Sequence, residues 1–170
     1  MDRRSLYDDD IYAWTQQQAE ALRRLAGTRR DLPNELDLEN LAEEIEDVGK
    51  SELHRVESFV RLILLHLVKA ASVRDARAGD HWRKEVRIWR IDLRKDLTAS
   101  MRAKIDLDAA WEVAVTKAEI DLAAAGDQVI PGLPGRSPFA VDDLASDRFD
   151  FDEAVERVRA AASRGDSLPR

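Results

Sequence analysis

The sequence predicts an all-α protein, an up-down bundle of four main helices with a long central second helix and short helices towards the C-terminus. Apolar residues recur at helical spacing in one segment after another, and alternating apolar and polar residues are nearly absent. Of the 170 residues, 44% are hydrophobic and 36% are charged, which is typical of a protein with its own core and a heavily charged surface. We predict one helical bundle domain over residues 1–150, followed over residues 151–170 by a helical extension and a frayed tail.

The second helix is predicted to be the longest and the most buried. Asp37 is its expected N-cap, and the apolar spacing continues without a break through Gly49 to about Ala71. Glycine costs a helix only about 1 kcal/mol, so one continuous helix is favoured over two helices split at Gly49, which remains the alternative. Almost every residue from Phe59 to Val68 is apolar, which indicates a helix buried on several sides at the centre of the bundle.

The remaining helices are predicted from the same two signals, an acidic cap and an apolar stripe. A loop rich in proline and glycine precedes the C-terminal ones. The first predicted helix follows the acidic residues 8–10 and runs to about Ala26. The third runs from about His81 to Ile105 after a connector at 72–80, and the fourth from Asp108 to about Gly126. A short helix begins at Val141, and a last one spans 152–163.

Composition and charge exclude several classes of function. The chain has no cysteine, so disulfides, thiolate metal sites and cysteine nucleophiles are excluded. The formal net charge of −7 argues against a general nucleic-acid or membrane-surface binder. The N-terminus shows no signal peptide, and the apolar run Leu62–Val68 is far shorter than the roughly 20 residues that span a bilayer. We expect a cytoplasmic protein without membrane contact.

Several short motifs in the chain are distinctive when taken together. They are Tyr7-Asp8-x-Asp10-x-Tyr12-x-Trp14 with Gln18, Leu36-Asp37-x-x-Asn40-Leu41-x-Glu43-Glu44-Ile45-Glu46 with Gly49 and Ser51-Glu52, Leu64-Leu65-His66-Leu67, Trp82-Arg83, and Ser137-Pro138-Phe139 with an Asp-x-x-x-x-x-Phe that ends at Phe149. On these motifs, residues 6–150 resemble the bacterial "domain of unknown function" family numbered twenty-nine. The resemblance implies a small all-helical bacterial protein and no particular activity. The chain departs from the family pattern at Ala140, where Thr or Ser is common, and by continuing past Phe149.

Glu52 is the sharpest single candidate, because it lies on the apolar stripe of the second helix. A buried carboxylate without a partner is costly and needs an arginine, a histidine, hydroxyl groups or a metal ion. The favoured interpretation is a buried salt bridge with an arginine of the third helix. The alternative is a polar pocket for a small ligand or an enzymatic reaction, formed with Gly49, His66, Tyr12 and Trp14. If the helix breaks at Gly49, Glu52 is simply exposed.

A row of arginines is predicted on one face of the third helix. At about 100° per residue, Arg83, Arg87, Arg90 and Arg94 fall within about 60° of one another. The favoured interpretation is structural, namely that the row pairs with the acidic residues at 37–52 of the second helix. Two alternatives remain open: binding of an anion or a nucleic acid by the guanidinium groups, and a binding face for an acidic partner protein.

No metal site and no cofactor are predicted. Di-iron bundles use Glu-x-x-His motifs, which this sequence lacks, and His54 and His66 lie about 18 Å apart along one helix. A magnesium site on clustered carboxylates is the weaker alternative. The sequence therefore favours a non-enzymatic protein–protein interaction module, with an unidentified protein partner or a second copy of itself, over a Glu52 pocket and over anion or nucleic-acid binding by the arginine row.

Overall fold

The computed structural model describes residues 6–29, 33 and 36–165, and it confirms the all-α class. Every regular element of the described residues is a helix, and none of these helices is both long and apolar enough to cross a membrane. In chain order the helices are α1 (Leu6–Asp9), α2 (Ile11–Thr28), α3 (Leu38–Ser72), α4 (Ala76–Asp96), α5 (Ala99–Arg102), α6 (Leu107–Ala125), α7 (Val141–Ala145) and α8 (Phe151–Gly165).

The long helix α3 is continuous over 35 residues, as predicted. The side chain of Asp37 caps it, because Oδ1 accepts a hydrogen bond from the backbone N–H of Asn40 at 3.1 Å. Gly49 lies inside the helix without interrupting it, so the alternative of two helices is excluded. The segment Ile63–Val68 is buried throughout, which agrees with the apolar composition of this part of the helix.

The chain divides into two compact units, and α3 contributes to both. The first unit comprises the described residues within Met1–Val56 and Asp96–Ile105, and the second those within Glu57–Lys95 and Asp106–Arg170. The helices α6, α7 and α8 all belong to the second unit. The predicted domain boundary at residue 150 stays a prediction.

In the first unit, Asp10 joins α2 to α5. Its carboxylate caps α2 by accepting a hydrogen bond from the N–H of Ala13 at 3.0 Å. It also accepts from the hydroxyl of Thr98 at 2.9 Å, and from the N–H and hydroxyl of Ser100 at 2.9 and 2.6 Å. Burial alone would raise the pKa of Asp10, but these hydrogen bonds together hold that pKa below its usual value.

The second unit is built on the C-terminal part of α3. The helix α6 contributes the buried Trp111, whose indole Nε1 donates to the carbonyl oxygen of Pro134 at 2.8 Å. Arg159 of α8 donates hydrogen bonds to the carbonyl oxygens of Ala70 and Ala71, at 3.1 Å each. These carbonyl groups lie in the last turn of α3, where no partner exists within the helix. Arg159 therefore satisfies them and fixes α8 against the end of α3.

The predicted third helix is in fact two helices, α4 and α5. The first begins earlier than predicted, because the side chain of Asp75 accepts a hydrogen bond from the N–H of Arg77 at 3.0 Å. It does not continue to Ile105, because Thr98 caps α5 by accepting from the N–H of Met101 at 3.4 Å. Asp and Thr side chains that bond to nearby backbone groups compete with helix continuation, and the apolar stripe does not reveal this.

The ends of α6 and α8 also differ in detail from the prediction. The cap of α6 is Asp106, whose side chain accepts a hydrogen bond from the N–H three residues later at 3.0 Å, so the predicted cap Asp108 is wrong. The predicted end at Gly126 is confirmed, and its φ of 82° lies in the left-handed region that favours glycine. The helix α8 extends to Gly165, and residues 166–170 of the predicted tail lie outside the described residues.

Candidate functional site

Glu52 forms a salt bridge within α3. Its carboxylate pairs with the guanidinium of Arg55 on the same helix, and Arg55 also lies 3.2 Å from the carboxylate of Asp96. The predicted partner from the third helix is therefore wrong, because an arginine three residues away reaches Glu52 without any tertiary contact. The predicted burial is wrong in degree, because 27% of the Glu52 side chain is exposed. A pair of this kind contributes only about 0–1 kcal/mol.

Gly49 is a point of close contact between α2 and α3. A Cβ atom added at position 49 would overlap Oγ1 of Thr15 and would lie 3.1 Å from its Cβ. The Thr15 hydroxyl is held in place because it donates to the carbonyl oxygen of Tyr12 at 2.8 Å. The ring of Trp14 packs edge to face on Tyr7, with ring centroids 4.9 Å apart. Gly49 and Trp14 of the predicted pocket therefore take part in helix packing. Tyr12 supplies the backbone carbonyl that holds the Thr15 hydroxyl.

His66, the remaining residue of the predicted pocket, is buried in the second unit. Its Nδ1 lies 3.0 Å from the carbonyl oxygen of Leu62, and its ring packs edge to face on Trp89 at a centroid distance of 4.7 Å. Burial lowers the pKa of His66, so the ring is neutral at neutral pH. A pocket that unites the predicted residues stays a prediction.

Within the described part of the chain, no three carboxylate or histidine side chains are grouped to hold a metal ion.

Three arginines of the predicted row bind residues of α7, of α8 and of the segment between these two helices. Arg83 donates two hydrogen bonds to the carboxylate of Asp152, at 2.9 and 2.7 Å. Arg90 donates to the carbonyl oxygen of Leu144 at 2.8 Å and to that of Ser146. The third contact is the ion pair of Arg94 with Asp147. The predicted pairing of the row with residues 37–52 is therefore wrong.

Three acidic residues of α3 have other partners. Glu46 pairs with Arg23 of α2, Asp47 pairs with Lys50, and Glu52 pairs with Arg55 as described above. The hydrogen bond from Arg23 is the main reason that the pKa of Glu46 is lowered. These contacts lie within the first unit, so the charges of α3 are partly neutralised without the arginine row.

Two guanidinium groups of the row form no ion pair with a carboxylate of the described residues. Arg87 makes no hydrogen bond or ion pair with any described residue. Arg90 donates only to carbonyl oxygens and stacks on Phe149, with its guanidinium carbon 4.1 Å from the ring centroid. Burial lowers the pKa of Arg90, the nearby charge of Arg94 lowers it further, and the carboxylate of Asp147 opposes these two effects only in part. Positive charge therefore accumulates at this point of α4.

These arginines border an open cleft in the second unit. Its volume is about 250 Å³, and the ring of Phe151 forms part of its wall, with the Arg83 guanidinium carbon 4.7 Å from the ring centroid. We call it the arginine cleft, and it is lined by Arg83, Val86, Arg87, Arg90, Phe149 and Phe151.

A second face of α4 exposes apolar and basic side chains together. Ile88 and Ile91 are 53% and 60% exposed. Lys84 and Lys95 lie one turn before and one turn after this pair, and neither makes an ion pair with a described residue. The four residues follow the spacing i, i+4, i+7, i+11, which places them on one face of the helix. We call them the basic strip.

The exposed face of α3 in the first unit has the opposite charge. Leu41 and Val48 are 43% and 51% exposed, and the exposed Glu44 between them makes no ion pair with a described residue. With Asp37 one turn earlier, they repeat the spacing i, i+4, i+7, i+11 of the basic strip. We call these four residues the acidic strip.

Neither strip was predicted from the sequence, although the signal for one of them was present. Ile88 and Ile91 fall outside the apolar stripe of the third helix, which is the pattern expected of apolar residues that do not serve the core. Leu41 and Val48 fit the apolar stripe of α3, and only their position at the edge of the buried face exposes them.

Comparison with known proteins agrees with the sequence motifs. The family model described as "Domain of unknown function DUF29" matches residues 6–150. The chain is similar to an alpha-helical protein of unknown function from Rhodospirillum rubrum ATCC 11170, known from a crystal structure. Their sequence identity is 38% and the TM-score is 0.85, over 92% of this chain and 99% of that chain. The comparison with curated proteins finds no match. The chain therefore belongs to the DUF29 family of domains of unknown function.

Proposed function

We propose that this protein is a protein-interaction module that associates with a second copy of itself, the acidic strip of one copy binding the basic strip of another. The observation that supports the proposal is the complementarity of two exposed helix faces. Each carries two exposed apolar side chains, the charges are opposite, and the spacing is the same. The matching residues are Asp37, Leu41, Glu44 and Val48 on α3, and Lys84, Ile88, Ile91 and Lys95 on α4.

A second copy suits these strips better than an unrelated partner. Each strip needs a surface of opposite charge with apolar side chains at helical spacing, and the same chain supplies that surface at equal concentration. Complementary potentials speed the encounter of two surfaces and fix their register. Because the two strips are different surfaces, the contact is heterologous, and repeated contacts produce a ring or an open chain of copies.

The association is expected to be weak and sensitive to salt. Full burial of a Val, Leu or Ile side chain contributes about 1.5–3 kcal/mol, and the four apolar residues of the contact are already half-buried in the monomer. This gain must exceed an association cost of at least about 4 kcal/mol. The lysines and carboxylates at the rim add about 0–1 kcal/mol per pair, and salt screens that part.

The proposal is tested by measuring the molar mass in solution by light scattering. At low ionic strength and rising concentration, the protein should exceed its monomer mass of 19.3 kDa, and added salt should return it towards that value. Two double variants remove the apolar contacts: Leu41→Gln with Val48→Gln, the acidic-strip variant, and Ile88→Gln with Ile91→Gln, the basic-strip variant. Each should weaken association by at least about tenfold.

A matched control is available on α6. Val113 and Ile120 are 44% and 65% exposed and belong to neither strip. The double variant Val113→Gln with Ile120→Gln, the control variant, should associate like the unmodified protein. A monomeric mass for the unmodified protein at every concentration would contradict the proposal, as would an equal loss of association in the control variant.

A further inference from the structure

We propose that the arginine cleft binds a small organic oxyanion, a carboxylate or phosphate group attached to a single ring or a short apolar chain. The cleft combines uncompensated positive charge with an apolar wall. Arg83 and Arg94 form ion pairs with Asp152 and Asp147, whereas Arg87 and Arg90 form no ion pair with a carboxylate of the described residues. The contacts that stabilise the fold therefore do not fully neutralise the positive charge in the cleft.

The free hydrogen-bond donors of these two arginines define the head group of the ligand. The guanidinium of Arg87 donates to no described residue. Arg90 uses Nε and Nη2, and its Nη1 makes no hydrogen bond with a described residue. Arginine presents its donors in a planar fork that fits the oxygens of carboxylate and phosphate groups. Arg90 is fixed in place by two carbonyl oxygens and by its stacking on Phe149, so one donor group is already oriented.

The wall and the size of the cleft define the rest of the ligand. Val86, Phe149 and Phe151 supply apolar and aromatic surface next to the guanidinium groups. The volume of about 250 Å³ is at or below the lower limit of common ligand sites, about 300 Å³. A single ring with one charged group is therefore the size of ligand that the cleft accommodates. The residues that line the cleft belong to neither strip, so this proposal does not depend on self-association.

Binding is tested by titration calorimetry with four probes: phenyl phosphate, benzoate, inorganic phosphate and benzyl alcohol. Saturable binding of phenyl phosphate or benzoate is expected, and the tighter of the two identifies the preferred head group. Inorganic phosphate should bind more weakly because it lacks the apolar group, and benzyl alcohol should not bind because it lacks the charge. Absence of saturable binding for both phenyl phosphate and benzoate would overturn the proposal.

Variants on one helix separate this site from general attraction to a basic surface. Arg87→Gln should weaken binding of the tighter probe about tenfold, because a charge-assisted hydrogen bond is lost. Arg77→Gln removes the same charge from an exposed position of α4 outside the cleft and should leave the affinity unchanged. Phe149→Leu should weaken the binding of phenyl phosphate more than the binding of inorganic phosphate, because only phenyl phosphate contacts the apolar wall. Equal losses of affinity in Arg77→Gln and Arg87→Gln would show that the probe is attracted only by the general positive charge of the surface. That result would overturn the proposal.

Discussion

Gly49 of α3 lies against Thr15 of α2 so closely that a Cβ atom at position 49 would overlap the threonine Oγ1. This contact explains why a residue that weakens helices is found inside a continuous helix of 35 residues. The absence of a side chain allows the backbone of α3 to approach α2, and the hydrogen bond from Thr15 to the carbonyl oxygen of Tyr12 keeps the hydroxyl in place.

Gly49→Ala should therefore destabilise the protein, although alanine is the better helix former. Overpacking costs about 1–3 kcal/mol, against a gain in helix propensity of about 1 kcal/mol, so the free energy of unfolding should fall by up to about 2 kcal/mol. Chemical denaturation measures this free energy of unfolding. Gly79 is also helical but has open space around it, and Gly79→Ala should be neutral or stabilising. In a Thr15→Ala background the loss caused by Gly49→Ala should become smaller, because the overlap with Oγ1 is removed while the Cβ atom of residue 15 remains. An unchanged loss would show that the contact with the hydroxyl is not its cause.

Asp10 should be one of the most sensitive polar positions of the first unit. Asp10→Ala removes a helix cap and the bonds to Thr98 and Ser100, and should lower the free energy of unfolding by about 2–4 kcal/mol. The neighbouring Asp9 is exposed and makes no hydrogen bond with a described residue, so Asp9→Ala is the matched control and should cost far less. Equal losses at the two positions would contradict the role given to the Asp10 hydrogen bonds.

The Asp10 contribution should also depend on pH with a defined sign. The folded-state pKa is below the ordinary aspartate value of about 3.9, so the stabilisation is complete above that value and is lost as the pH falls through the folded-state pKa. The difference in unfolding free energy between the unmodified protein and Asp10→Asn should therefore narrow on acidification below pH ~4. If the difference in unfolding free energy stays constant down to the lowest pH at which the protein folds, the lowered pKa of Asp10 does not contribute to stability.

His66 should make stability depend on pH in a higher range. Its folded-state pKa is lowered by burial, so below the ordinary histidine value of about 6.5 the unfolded chain takes up a proton that the folded protein does not. Stability should fall as the pH drops from this value towards the lower folded-state pKa. His66→Gln should reduce that slope in denaturation measurements at several pH values. A slope that is unchanged in His66→Gln would contradict this role of His66.

Glu52 should contribute little to stability, in contrast to a buried ion pair. Breaking a buried pair costs about 3–5 kcal/mol, whereas a pair within one helix turn at the surface contributes about 0–1 kcal/mol. Glu52→Gln should therefore change the free energy of unfolding by less than about 1 kcal/mol. A loss of several kcal/mol would support the buried interpretation that the sequence favoured.

The helices were predictable from the sequence because their signals are local. The apolar spacing of α3 continues through Gly49, and the caps at Asp10 and Asp37 act on N–H groups within one turn. The break between α4 and α5 was missed although its signal is also local. It depends on the Thr98 side chain, which a stripe of apolar residues does not register.

The partners of the charged residues were not predictable from periodicity. Arg83 and its partner Asp152 are 69 residues apart in sequence, and helical spacing defines the face that a residue occupies but not the element that packs against it. The pairing of Glu52 with Arg55 could have been predicted from the sequence, since the two residues are three positions apart. The expected burial of Glu52 pointed to a distant partner instead.

The most direct test of the proposed self-association is the molar mass of an equal mixture of the acidic-strip and basic-strip variants. Each variant alone should remain at the monomer mass of 19.3 kDa. In the mixture, the intact basic strip of one variant should bind the intact acidic strip of the other, and because each has only one functional strip, the assembly should stop at a one-to-one dimer. A mixture that stays monomeric while the unmodified protein associates would contradict the contact between the two strips.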